Sequence, residues 1–291
     1  MDKTSYFDCA AVGSALADYK NEELIYFPNR GNAGDSLIAL GTYNFFSKIG
    51  VKWTLMDDDT SIDNRILVIG GGGNLVPLYN TVSDLIAKSI GRVKKLILLP
   101  HTIRGHKDLI LRMDDSCLIF CRDLYSFNYV RSTNHKLDVR LSHDMAFQVD
   151  AKNFVKNKKI GNFGYKELSY MLLNSGFEME NITKLPSVDY YREDEESMFS
   201  DLSTDLDISN LFAFGVLPDM ARLSSWCFLN AISLCSHINT DRLHVAIGAS
   251  LLGVPCTLRD NSYGKNSCVY WQSLYMDPKI RLAGKAGRFN T

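Results

Sequence analysis

The sequence has no long hydrophobic run. Its unbroken apolar stretches, such as Leu96 to Pro100, are far short of the about 20 residues a membrane-spanning helix needs, so no transmembrane segment is expected. An excess of either charge is also missing: 32 Lys and Arg face 33 Asp and Glu, a formal net charge of −1. No global field therefore attracts nucleic acid, and any anion site must be local. The start (Met1, Asp2, Lys3, then mixed polar residues) lacks the about 7–15-residue apolar stretch of a secretory signal, so a cytoplasmic protein is expected. The cysteines (Cys9, Cys117, Cys121, Cys227, Cys235, Cys256, Cys268) number 7, with neither zinc-type pair spacing nor a disulfide framework. They read as small buried apolar residues.

What is present is ordinary in amount. Apolar residues at 46% and charged residues at 22% over 291 positions describe a globular chain of one large or two medium domains. The 20 glycines are clustered: Gly31 and Gly34, the run Gly70 to Gly73, then Gly248 and Gly253.

The first half alternates short apolar runs with amphipathic stretches. Leu24 to Phe27, Val51 to Leu55, Ile66 to Ile69, Leu96 to Leu99, Leu118 to Phe120 and Val139 to Leu141 predict buried strands. Ser36 to Lys48, Val82 to Ile90 and Leu124 to Val130 predict helices between them. That alternation implies a doubly wound parallel sheet. The lysine-rich stretch Ala151 to Lys159 reads as a linker, which gives an N-terminal Rossmann-like domain over 1–150 and a C-terminal one over 151–291. Within the second, Tyr165 to Leu173 and Met220 to Leu234 predict helices, and the acidic Glu193 to Glu196 reads as a solvated helix face. A run near Cys235 to Asn239, a helix from Leu243 to Leu252 and a strand from Val254 to Leu258 close it.

Several motifs stand at strand ends, where open parallel sheets place their ligands. Asn29 to Asp35 joins a strand to a helix; its glycines and free N–H groups suit a polar or anionic ligand, and a plain capped turn is the competing reading. Gly70 to Gly73 followed by Asn74 matches neither a dinucleotide fingerprint nor a phosphate loop, and suits a loop against a bulky ligand or another domain. Leu99 to Gly105 carries His101, a general base or ligand contact or a loop histidine bonded to backbone. Arg122 before Asp123 offers a planar fork for phosphate or carboxylate, or a structural ion pair. Asp241-Arg242-Leu243-His244 opens a helix of small residues, so guanidinium, imidazole and helix start converge on one anion, and Lys265 adds a cation downstream.

Taken in order, Asn32 to Asp35, Gly70 to Asn74, Pro100 to Gly105, Arg122-Asp123 with Ser126, His143 to Ala146, Arg242-Leu243-His244 and Gly253 to Pro255 resemble the motif set of the polysaccharide pyruvyl transferase family. The resemblance implies two Rossmann-like domains facing across a cleft, the glycosyltransferase-B-like arrangement. It implies a donor, phosphoenolpyruvate, and an acceptor hexose of a surface glycan; whether the acceptor is a lipid-linked precursor, met at the cytoplasmic face of the inner membrane, the sequence leaves open. The product would be a pyruvate ketal of exopolysaccharide biosynthesis, with no cofactor and no metal. Arg122, Arg242, Leu243, His244 and Lys265 carry over as donor-binding residues, and Asn29, Asn32, Asp35, Gly72, Asn74 and His101 fall on the acceptor side. His101 departs from the pattern, since many relatives have glutamine after the proline. His244 is the candidate acid, because imidazole titrates near working pH; Asp35 or His101 is the candidate base. A glycosyltransferase using a nucleotide sugar and a non-catalytic glycan-binding relative remain the alternatives. The basic C-terminus (Lys279, Arg281, Lys285, Arg288) offers peripheral membrane contact or a solvated tail.

Overall fold

The computed structural model describes residues 9–198 and 203–284. They form two compact α/β units, the first made of 9–30, 38–148 and 216–218, the second of 31–37, 149–198, 203–215 and 219–284.

The first unit is built on a parallel sheet of β1 (Glu23–Phe27), β2 (Lys52–Leu55), β3 (Ile66–Ile69), β4 (Gly72–Leu75), β5 (Lys95–Ile103), β6 (Cys117–Cys121) and β7 (Asp138–Leu141). Its order is β2-β1-β3-β5-β6-β7, with β4 pairing beside the far end of β5. The middle strands are continuous apolar runs because helices cover both faces of a parallel sheet; Leu67, Ile69, Leu96, Leu98 and Ile119 lie in one fully buried cluster. The helices expected between strands are present as Ala33–Ile49, Thr81–Ser89 and Leu124–Thr133.

In the glycine run, Gly70 and Gly71 connect β3 to β4 and Gly72 and Gly73 are the first residues of β4; the connection packs closely against neighbouring strand ends. A β-carbon at Gly71 would fall 2.7 Å from the Pro100 carbonyl oxygen, and one at Gly70 would fall 3.0 Å from the Asn29 nitrogen. The glycines let three strand ends converge.

The second unit holds a parallel sheet of β8 (Val188–Tyr190), β9 (Ile238–Thr240), β10 (Cys256–Leu258) and β11 (Ile280–Leu282), in the order β11-β10-β9-β8. The expected linker is mostly helical: Asp150 and Asn157 accept from the N–H groups of Asn153 and Lys159, capping the helices Ala151–Phe154 and Lys158–Asn174. Polar residues there serve as caps, which a composition reading takes for a linker. Helix Leu243–Leu252 packs on helix Pro218–Ser233, and a β-carbon at Gly248 would meet Ile232 at 2.7 Å. Six cysteines are buried and the seventh, Cys268, is half-buried, and none is joined in a disulfide. No helix among the described residues is long and apolar enough to cross a membrane. Of the basic C-terminal residues, Lys285 and Arg288 lie outside the described residues.

Candidate active site

The late Arg-Leu-His element sits where β9 ends. Arg242 has extended backbone and caps helix Leu243–Leu252; its N–H donates to Thr240 Oγ1 at 3.0 Å, and Thr240 in turn donates to the Tyr190 carbonyl at 2.6 Å. The polar residue closing the strand thus fixes the helix start. Leu243 is buried, and His244 follows in the first turn.

The Arg242 side chain belongs to a line of alternating charges. Asp207 accepts from its Nε at 3.2 Å and also from Nη2, while Nη1 lies 2.9 Å from Asp194. Asp194 accepts from Nε and Nη2 of Arg192 at 2.7 and 3.2 Å. Arg192 Nη1 reaches Glu196 at 2.5 Å, and Lys265 Nζ donates to the same carboxylate oxygen at 2.7 Å. Asn261 and Tyr263 donate to that oxygen as well, each at 3.1 Å. The sequence Asp207, Arg242, Asp194, Arg192, Glu196, Lys265 alternates in sign and sums to zero. All are largely buried except Asp194, whose side chain is 37% exposed. Burial pushes the Asp194 carboxyl up, but Arg242 and Arg192 outweigh it and hold it below its usual range. Asp241, buried and accepting the Arg192 N–H, is raised by desolvation.

The Asn29 to Asp35 turn completes the site. Asn32 Oδ1 accepts from the Gly34 N–H at 2.8 Å, and Asp35 Oδ2 accepts from the Asn32 N–H at 2.9 Å, a reciprocal cap at the start of helix Ala33–Ile49. Residues 31–37 belong to the second unit. Asn32, Arg192, Ser209, Arg242, Leu243, His244 and Lys265 line one recess. The cations face it, while Asp194, Glu196 and Asp207 are not among its lining residues.

The other expected site residues belong to the first unit. Arg122 is 1% exposed, its Nε donating to Thr102 Oγ1 at 2.9 Å and its Nη1 to Asp144 at 2.6 Å. Its neighbour Asp123 caps helix Leu124–Thr133 through Ser126 and pairs with Arg104. His101 is fully buried on β5 and donates from Nε2 to Asn74 Oδ1 at 2.9 Å. Burial, with Arg122 nearby, lowers its pKa to about 3, so the imidazole is neutral at working pH. Asn29 donates to the Gly70 and Gly71 carbonyls at 2.6 and 2.8 Å, stitching β1 to β3, and Gly72 opens β4.

The structure thus brings Asn32, Arg242, Leu243, His244 and Lys265 to one recess, with Asp35 on the turn that caps beside it. Sequence reasoning missed Arg192, Ser209 and the three acids behind the cations. The segment Glu193 to Glu196 is not a solvated helix face: it is irregular chain, and Glu196 is buried at 5% exposure. Three inward cations in a low-dielectric wall need counter-charges, and this segment supplies two. The available signal was an arginine directly after Val188-Asp189-Tyr190-Tyr191 and directly before four consecutive acids, Glu193 to Glu196.

Comparison with known proteins adds the following. A family model described as polysaccharide pyruvyl transferase matches residues 32–263. The chain is 28% identical over 305 residues, covering 92% of it and 91% of the relative, to a Bacillus subtilis (strain 168) protein named "Putative pyruvyl transferase EpsO". It also resembles the crystal structure of a functionally uncharacterized protein from Klebsiella pneumoniae subsp. pneumoniae NTUH-K2044. That similarity has a TM-score of 0.76 and 31% identity over 95% of this chain and 98% of the other.

Proposed function

The chain belongs to the polysaccharide pyruvyl transferase family, and from that premise we propose that it moves the pyruvyl group of phosphoenolpyruvate onto a hexose of a surface glycan or its lipid-linked precursor. The observation that carries the proposal is the convergence of Arg242, His244 and Lys265 on one recess at a helix start. Phosphoenolpyruvate carries a phosphate and a carboxylate, and both need local cations in a chain of net charge −1.

In this reading Arg242 and Lys265 hold the donor's anionic groups, and the His244 imidazolium gives a proton to the enol methylene. The carbon that bore the double bond becomes a methyl group, and the adjacent carbon becomes cationic and takes a sugar hydroxyl oxygen. Asp35 accepts that hydroxyl's proton. The C–O bond to phosphate then breaks, a second hydroxyl of the same sugar attacks, and its proton leaves with the phosphate or returns to His244. One proton has gone to carbon, two have left hydroxyls, and the products are a ketal and inorganic phosphate. Arg122 carries over as a donor arginine by its family motif, and His101 holds Asn74 on the acceptor side as a neutral group.

The test is incubation with phosphoenolpyruvate and a panel of galactose- and mannose-terminated acceptors, lipid-linked ones included. Phosphate release together with a mass gain of one ketal is expected. No product across the panel, with a nucleoside diphosphate raising the melting temperature where phosphoenolpyruvate does not, would favour a nucleotide-sugar transferase.

A further inference from the structure

We propose that Arg192 is a second anion-binding arginine of the recess, aligned with Arg242 by the carboxylate of Asp194 that both share, and that it takes the phosphate of the ligand. The inference rests on the donor reading above and adds a residue that no motif marks.

Three observations carry it. First, Arg192 lines the same recess as Arg242, His244 and Lys265, although it comes from the chain two residues past the end of β8. Second, the two guanidiniums are held in the same way. Each gives Nε and one terminal nitrogen to one carboxylate, and its other terminal nitrogen to a second. A guanidinium has five N–H donors; Arg192 gives three to these carboxylates, Arg242 gives two to Asp207 and sets Nη1 within ion-pair distance of Asp194, so each keeps at least one N–H on each terminal nitrogen. Third, Asp194 Oδ2 contacts Arg192 Nη2 at 3.2 Å and Arg242 Nη1 at 2.9 Å, which fixes the two forks side by side. Two adjacent forks beside an ammonium group, Lys265, match the several oxygens of a phosphate dianion better than the two of a carboxylate.

The carboxylates leave the cations aimed and charge-balanced, so the recess need not reorganise when the anion arrives. Asp207 and Glu196 are too buried to give up their partners cheaply. Asp194 is the exposed member of the line and can rehydrate if the arginines shift toward a ligand.

The experiment is calorimetric titration of inorganic phosphate, and separately phosphoenolpyruvate, into the full chain and variants. Arg192→Gln should weaken phosphate binding by about tenfold or more, the size expected for lost charge-assisted hydrogen bonds. Because that variant exposes the recess to an unbalanced Asp194, the control is the double variant Arg192→Gln/Asp194→Asn, which keeps the local net charge. If Arg192 touches the phosphate, the double variant stays weak. Recovery to wild-type affinity in the double variant, or a single variant within about twofold of wild type, overturns the inference. So does a wild-type chain that binds no phosphate at millimolar concentration. Should Arg192→Gln fail to fold, Arg192→Lys keeps the ion pairs and loses the fork; it should bind phosphate several-fold more weakly, and unchanged affinity overturns the proposal. Phosphate binding that follows these rules without ketal formation would sink the donor reading and leave the anion site. Wild-type ketal formation by Arg192→Gln would do the reverse.

Discussion

Gly34 lies directly against His244: a β-carbon at Gly34 would fall 2.4 Å from the imidazole Nδ1 and 2.9 Å from the histidine's own β-carbon. The close approach reaches the root of the side chain, so a rotamer change cannot relieve it. Gly34→Ala therefore has to push helix Leu243–Leu252 or the Asn32 turn away. Overpacking of this kind costs about 1–3 kcal/mol, and a shift of about 1 Å in a catalytic group can cost ~100-fold in rate. If His244 is the acid of the proposed reaction, the expected result is a folded protein, by circular dichroism, with turnover reduced by that order. Wild-type turnover in Gly34→Ala would show that the imidazole position is not critical.

The neighbouring carboxylate gives a cleaner separation of structure from chemistry. Asp35 accepts the Asn32 N–H, a bond that an amide oxygen can also accept. Asp35→Asn thus keeps the cap, and melting should move by no more than the few tenths of a kcal/mol that a weakened helix-dipole term contributes. If Asp35 is the base, turnover falls by about 10²–10⁴-fold while donor affinity stays near wild type. A variant that is as active as wild type would return Asp35 to a purely capping role.

The parts of the molecule that could be read from the sequence are those whose cause is local. Ile66 to Ile69 and Leu118 to Phe120 read as strands because burial on both faces of a parallel sheet leaves a continuous apolar run. Arg242, Leu243 and His244 read as a site because they are contiguous and precede small residues that pack closely. The polysaccharide pyruvyl transferase resemblance, carried by such contiguous motifs, agrees with the family match over residues 32–263. Arg192, Asp194, Glu196 and Asp207 did not read this way, since their meaning lies in partners far along the chain: Asp207 and Arg242 are 35 residues apart, and Glu196 and Lys265 are 69 apart. An acid run has the same composition whether it meets water or buried guanidiniums. The close packing at Gly70 and Gly71 is not legible in the sequence for a related reason, because the backbone they accommodate belongs to Asn29 and Pro100.

His101 gives a pH prediction whose sign follows from burial. Its folded pKa of about 3 lies below the ordinary 6.5, so the unfolded chain binds the proton more readily than the native one. Above pH 6.5 both states are neutral at this position and stability is flat. As pH falls from 6.5 toward 3, the unfolded state is favoured, by at most about 1.4 kcal/mol per pH unit for this one group. His101→Gln should flatten that part of the stability profile in urea denaturation while keeping a side chain able to donate to Asn74. An imidazole resonance of His101 titrating between pH 5 and 8 by NMR would contradict the burial argument.

Arg242→Ala is the obvious knockout, and its expected result is a loss of both activity and stability. Asp207 is 5% exposed in its side chain and would lose its guanidinium partner. Breaking one side of a buried ion pair typically costs about 3–5 kcal/mol, enough to confuse an unfolded sample with an inactive one. Asp207 also caps helix Ile208–Leu211, accepting from the N–H groups of Ser209 and Asn210, so it cannot simply be made apolar. The double variant Arg242→Met/Asp207→Asn removes both charges, fills the space of the arginine stem and leaves the cap an oxygen. It should recover most of the lost stability in urea denaturation and none of the phosphate release from phosphoenolpyruvate. Recovery of turnover together with stability would mean that Arg242 serves the fold alone, and the donor's anionic groups would then have to be held by Lys265 and Arg192.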